Sequence, residues 1–205
     1  KAAGVIVARR RSQVGRWQGD ARDSYGRIIA GIEIDGTDLS THLLSLGLAH
    51  LFLIPPDDAD HTGRREAQTK ARTASRGIWS TDRYRGVLHI TSFHANADGD
   101  DRVNLNGEYL RIANISDRPV DIDGFRIAEQ SGRSWLLPPM LIPPGHTFKL
   151  HSGSGTDQSD PVKQLAVFLN NETPIWNNTR DRATLYDRHG RMIDSRLHAP
   201  KNPSR

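Results

Sequence analysis

The stretch Asp23-Ser24-Tyr25-Gly26-Arg27 lies between two apolar runs and reads as a tight turn that presents an arginine. Upstream, Gly4–Ala8 is a short Val/Ile run that predicts a strand. Arg9–Arg22 is polar and contains Gly15 and Gly19, so it is expected as an extended loop or ribbon. Downstream, Ile28–Ile34 predicts the next strand, and Asp35-Gly36 after it is a strong turn signal. Thr37 or Asp38 can then N-cap a helix whose apolar stripe is Leu39, Leu43, Leu44 and Leu46, with Gly47 as its stop. The apolar run Leu48–Ile54 breaks at Pro55-Pro56, and an acidic loop covers Asp57–His61. A second helix is predicted over Gly63–Arg76, with Ala67, Ala71 and Ala74 on one face and a Glu66–Lys70 pair. Gly77 stops it and Ile78-Trp79 follows as an apolar anchor.

Composition narrows the classes. At 205 residues the chain allows two small domains. No stretch approaches the roughly 20 apolar residues of a membrane helix. The absence of cysteine excludes disulfides and thiolate-bound zinc but leaves the compartment open. The chain starts at Lys1, and the basic run Arg9-Arg10-Arg11 follows the apolar Ala2–Ala8 instead of preceding it. That is the wrong order for a signal peptide, so a processed or truncated start is expected. Charge is uneven. Residues 1–86 hold 14 Lys+Arg against 10 Asp+Glu, and residues 87–205 hold 14 against 14. The first 27 residues alone carry seven basic and two acidic side chains. A basic front end suits a phosphate backbone.

After a polar linker at Thr81–Gly86 the pattern changes. Short alternating runs at Val87–Phe93, Glu108–Asn114, Pro119–Ile122, Phe125–Ala128, Ser134–Leu137, Thr147–His151, Leu165–Leu169, Ala183–Asp187 and Met192–Leu197 are separated by turn signals such as Asn106-Gly107 and Asp123-Gly124. Many short strands without a helical pattern argue for a β-sandwich. Asn96, Asp98 and Asp100 begin like an EF-hand loop, but Asp101 occupies the position that needs Gly and Gly107 the one that needs Glu. The nine histidines show no metal-binding spacing.

Two family resemblances rest on these residues. Asp23–Arg27, Leu46–Ala49, Glu66–Ala71 and Gly77–Ser80, in that order and spacing, resemble the C-terminal half of the staphylococcal nuclease (thermonuclease) family over roughly residues 4–80. The resemblance implies an OB-type barrel and Ca²⁺-assisted hydrolysis of DNA and RNA phosphodiesters. By its Tyr-Gly-Arg motif, Arg27 is expected to stabilise charge on the phosphoryl oxygens, and Tyr25 to flank the nucleotide. Arg9, Arg10 and Arg11 are the expected substrate-phosphate contacts. The family's metal carboxylates have no counterpart here: upstream of Asp20 there is no Asp or Glu, so no metal ligand is assigned in this chain. The family's tyrosine pair after Ala49 is also replaced by Leu51-Phe52-Leu53-Ile54.

The second resemblance runs from Leu105-Asn106-Gly107-Glu108-Tyr109 through Asn114 to Pro119–Phe125. It resumes at Ile175-Trp176-Asn177-Asn178, Ala183–Asp187 and Gly190. These resemble the lamin tail domain, an immunoglobulin-like fold, over about residues 87–198. That family implies binding or anchoring with no residue-level site, and Trp176 is expected in the core.

The expected architecture is therefore mainly β with two helices: residues 1–80 as a partial OB-type nuclease barrel, 81–86 as linker, 87–198 as an immunoglobulin-like sandwich and 199–205 as a tail. Nucleic acid is the expected partner of the first part. A cell-surface or protein partner, and an extracellular location, are implied for the whole by likeness to secreted bacterial nucleases. A non-catalytic nucleic-acid-binding protein with a degenerate barrel is the rival expectation.

Overall fold

The computed structural model describes residues 3–7, 14–22, 26, 28–55 and 60–199. Arg9, Arg10, Arg11, Tyr25, Arg27, the loop residues 56–59 and the tail from 200 onward lie outside the described residues. Contacts divide the chain into Lys1–His50 with Asp60–Trp79, and Leu51–Ala59 with Ser80–Arg205.

The first unit opens with an antiparallel meander of β1 (Ala3–Val7), β2 (Val14–Arg22), β3 (Ile28–Ile34) and the short β4 (Thr37–Asp38). The polar stretch expected as a loop or ribbon becomes a strand from Val14 onward. It is the central partner of both neighbours, pairing Gly15 with Ile6 and with Ile34, and ladder hydrogen bonds on both edges outweigh its polar composition. Asp35 (φ 49°) and Gly36 (φ 77°) form the left-handed corner that turns β3 into β4.

Helix α1 (Leu39–Ser45) begins where the sequence places it. The Asp38 carboxylate accepts the Thr41 N–H at 3.0 Å and the Thr41 hydroxyl at 2.6 Å. Arg64 of α2 (Thr62–Thr73) reaches the same carboxylate at 3.2 Å, so one side chain caps one helix and ties down the other. Burial pushes the Asp38 pKa up, but hydrogen bonds from Thr41 and Arg64 more than offset it and hold the group below its ordinary value. Because the folded pKa is depressed, this contribution is present above the unfolded pKa and lost as pH falls through the folded one. Asp38→Ala is expected to cost about 1 kcal/mol and to flatten stability over that acid window, as urea unfolding at several pH values would check.

Both helices end in Schellman turns. In α1 the Leu48 N–H bonds the Leu43 carbonyl at 2.9 Å and the Gly47 N–H bonds Leu44 at 3.0 Å. In α2 the corresponding bonds run from Arg76 to Ala71 and from Ser75 to Arg72, both at 2.9 Å. The second helix therefore stops at Thr73, with Ser75 rather than Gly77 in the left-handed position at φ 49°. Ala67, Gln68 and Ala71 form its buried face; Ala74, expected on that face, is exposed beyond the helix end.

The second unit is an immunoglobulin-like sandwich. One sheet has the order β12-β11-β6-β5, made of β5 (Leu88–His94), β6 (Tyr109–Asn114), β11 (Thr147–His151) and β12 (Leu165–Phe168). The other has the order β14-β13-β8-β9, made of β8 (Arg126–Ala128), β9 (Ser134–Leu136), β13 (Asp181–Tyr186) and β14 (Met192–His198). A two-residue pair, β7 (Val120–Asp121) and β10 (Leu141–Ile142), closes one end. Leu88, Ile90, Leu110, Ile112, Phe148 and Leu185, all fully buried, belong to the core between the sheets.

Leu51–Pro55 belongs to this sandwich. Leu53 bridges to His146 in parallel, its N–H bonding Gly145 at 2.8 Å while its carbonyl accepts the Thr147 N–H at 3.2 Å. It occupies the lane beside the start of β11, the same lane that β12 takes from Phe148 onward. Leu51, Leu53 and Pro55 are buried and Phe52 and Ile54 are exposed, the period-2 alternation of an edge strand.

Candidate nucleic-acid interface

Arg22 and Ile28 are the last pair between β2 and β3. The Arg22 guanidinium donates to the Gly26 carbonyl at 2.6 Å. Gly26 sits at φ 76°, where a Cβ is penalised. Tyr25 and Arg27, the expected site residues, lie outside the described residues. Arg22 was not singled out from the sequence. Its only signal is its place four residues before the motif glycine.

The other motifs of the first unit are packing devices. Gly47 (φ 67°) and Gly77 (φ 55°) face each other: a Cβ on Gly47 would overlap the Arg76 carbonyl, and one on Gly77 would overlap the Gly47 carbonyl. The Ile78 N–H bonds the Gly47 carbonyl at 2.8 Å across this contact. Trp79 is buried, with the Arg72 guanidinium 5.5 Å from its ring centroid. The turn after α1 and the turn after α2 are therefore clamped together, at a distance only two glycines permit.

In the second unit the motif residues are also structural. Glu108 is fully buried and accepts the Ile175 N–H at 3.0 Å, holding the strand entry against the Trp176 corner. Burial pushes its carboxyl pKa up, and the hydrogen bond from the Ile175 N–H opposes that only in part. Asn114 donates to the carbonyls of Arg118 and Ile142, both at 2.8 Å, and accepts from Ser116. Trp176 lies in the core, edge-on to Phe93 at 4.9 Å. Asp181 accepts the N–H groups of Gln130 at 3.0 Å and Asn177 at 2.9 Å. The family model described as Lamin Tail Domain matches residues 81–198, more than half of the chain. The chain belongs to the lamin tail domain family. A second model, described as Staphylococcal nuclease homologue, matches residues 5–81, so an SNase-like domain precedes the lamin tail domain. Comparison with curated proteins finds no match.

The acidic loop at the start of the lamin tail domain is spoken for by its own fold. Asp101 accepts the Ala97 N–H at 2.9 Å and contacts the Asn178 amide, and Asp100 accepts the Arg102 N–H at 2.9 Å. Among the described residues no group of three His, Asp or Glu side chains is placed to hold a metal ion. No step is assigned to a metal ion. Among them, too, no helix is long and apolar enough to cross a membrane.

Proposed function

We propose that the chain is part of a Ca²⁺-dependent nuclease that hydrolyses DNA or RNA phosphodiesters, with the lamin tail domain anchoring it to a cell-surface or protein partner outside the cell. The observation that carries this reading is the SNase-like domain over residues 5–81, in which Arg22 donates to the carbonyl of the motif glycine Gly26. An SNase-like domain favours nucleic acid as the partner, and the basic charge of the first 27 residues agrees with it. In this reading Arg27 offsets the negative charge that grows on the phosphoryl oxygens as the bond breaks. Its planar fork suits that task better than a lysine would. Tyr25 flanks the nucleotide, and Arg9, Arg10 and Arg11 hold the backbone phosphates. No ligand of Ca²⁺ is assigned in this chain.

The test is digestion of plasmid and single-stranded DNA with Ca²⁺, with EDTA, and with the Arg27→Ala variant. Cutting is expected only with Ca²⁺, and Arg27→Ala is expected to lower its rate by about 10²–10³-fold with the melting temperature unchanged. Salt-dependent binding that is indifferent to EDTA, with no cutting under any condition, would replace this reading with that of a non-catalytic nucleic-acid-binding protein.

A further inference from the structure

The outer face of the β12-β11-β6-β5 sheet carries a row of rings that the core does not use. The register aligns them on one rung: His94 opposite Tyr109, Tyr109 opposite His151, and His151 opposite Phe168. His94 and Tyr109 are stacked with centroids 5.0 Å apart at 3°, and His151 and Phe168 at 4.9 Å and 13°. Tyr109 and His151 are 5.8 Å apart at 47°. At these separations parallel rings overlap in an offset stack, like shingles, and each leaves part of its face uncovered. At the Phe168 end Gly155 comes so near that an added Cβ would overlap the ring. The His94 end is exposed.

The next rung is cationic. Arg111 stands directly opposite Lys149. Like charges so placed repel one another, and a sheet gains nothing from them unless an anion lies between. Lys149 Nζ is 4.5 Å from the Tyr109 ring centroid, and Arg111 is 5.9 Å from that of Phe52 and is held by Gln164 at 2.6 Å. Neither cation is paired with a carboxylate among the described residues, and none of the four strands contains Asp or Glu. Burial lowers the pKa of both cations, and burial, opposed by the Asn106 carbonyl, lowers that of His151. His151 therefore presents a neutral ring at neutral pH, and the two cations are already partly stripped of water.

We propose that this sheet face is a platform for single-stranded nucleic acid, with bases stacking on the ring row and backbone phosphates seated at Lys149 and Arg111. Bases offer a free π-face only when unpaired, so a duplex would meet the cations but not the rings. A neutral glycan would use the rings and leave the facing cations without a partner. The inference goes beyond the nuclease reading and stands without it, because it concerns the lamin tail domain alone.

The test is fluorescence anisotropy of a labelled oligothymidylate and of a duplex of equal length, using the full chain in EDTA so that cutting cannot contribute. Tyr109→Leu is expected to weaken single-strand binding by about tenfold, within the range of one lost base stack, and duplex binding by less than about twofold. Lys149→Gln, a mild surface change, is expected to weaken binding and to reduce the slope of log affinity against log salt by about 0.7. Thermal melts of both variants exclude unfolding. Single-strand affinity unchanged in both variants would overturn the proposal and favour a protein or glycan occupant, as would an equal loss of duplex binding in Tyr109→Leu. Loss of cutting with this binding intact would instead count against the nuclease reading only.

Discussion

Replacing Asp194 with alanine is expected to destabilise the lamin tail domain by about 3 kcal/mol, the cost of removing a carboxylate acceptor from buried donors. Asp194 lies on β14, the edge of one sheet, and faces β5, the edge of the other. Its Oδ2 accepts the Ile90 N–H at 2.7 Å and sits 2.8 Å from His89 Nδ1; His89 and Asp194 are both almost wholly buried. Two residues on, Arg196 donates to the carbonyls of Ile90 and Thr91 at 3.0 and 2.8 Å. The pairing of β5 with β6 shifts register between Ile90 and Ser92, so this is where the edge backbone most needs outside partners. Alanine would leave the Ile90 N–H and the His89 ring buried with their shared acceptor gone. Asp194→Asn keeps an acceptor oxygen without the charge and is expected to lose about half as much. Urea unfolding of the three proteins checks both figures. A loss below about 1 kcal/mol in Asp194→Ala would mean that water replaces the carboxylate and the sheets are not held together there.

The second large effect is expected at the glycine pair. Gly77→Ala places a methyl group into the Gly47 carbonyl and forces a left-handed conformation on a residue with a Cβ. Gly47→Ala does the same against the Arg76 carbonyl. Neither obstacle is a flexible side chain that could swing away, so the two helix ends must separate, breaking the Ile78 to Gly47 hydrogen bond and loosening Trp79. Strain and overpacking together are expected to cost on the order of 3 kcal/mol for either substitution. The double substitution is expected to cost less than the sum, since one separation relieves both clashes. Thermal unfolding of the single and double variants measures this, and full additivity would mean that the two glycines act independently.

How legible these devices were in the sequence follows from the range of the interactions. The Asp35-Gly36 corner and the cap are local, each set by residues within four positions; the sequence alone placed the corner and narrowed the cap to Thr37 or Asp38, and the structure puts it at Asp38. The sandwich was legible because its strands are short, alternate with period 2 and are separated by turn residues. The end of α2 was misplaced because a serine fills the position where glycine usually marks the stop. The strand at Val14–Arg22 was missed because its stability comes from partners on both sides. The site was less legible than the fold. Arg27 and Tyr25 could be named through a motif, whereas Arg22 matters only because the hairpin register brings it to the Gly26 carbonyl. The ring row was within reach, since Tyr109-x-Arg111 and Lys149-x-His151 each share a strand face. Aligning the two pairs required the register of β6 against β11.

The pairing of Leu53 beside β11 also bears on the order in which the protein is made. Leu53 and Thr147, which it bonds, are 94 residues apart in the chain. At about 5–20 residues per second, a ribosome needs on the order of 5–20 s to synthesise the strand that will receive it. During that interval Leu51-Phe52-Leu53-Ile54 is an apolar run with its eventual neighbour not yet in existence. The helices on either side of it can form as soon as they emerge, from local contacts, while this segment must wait. The nascent chain thus carries a gap at Leu51–Ile54 that only a segment made later can fill, and a chaperone that shields short apolar segments would find its natural substrate there.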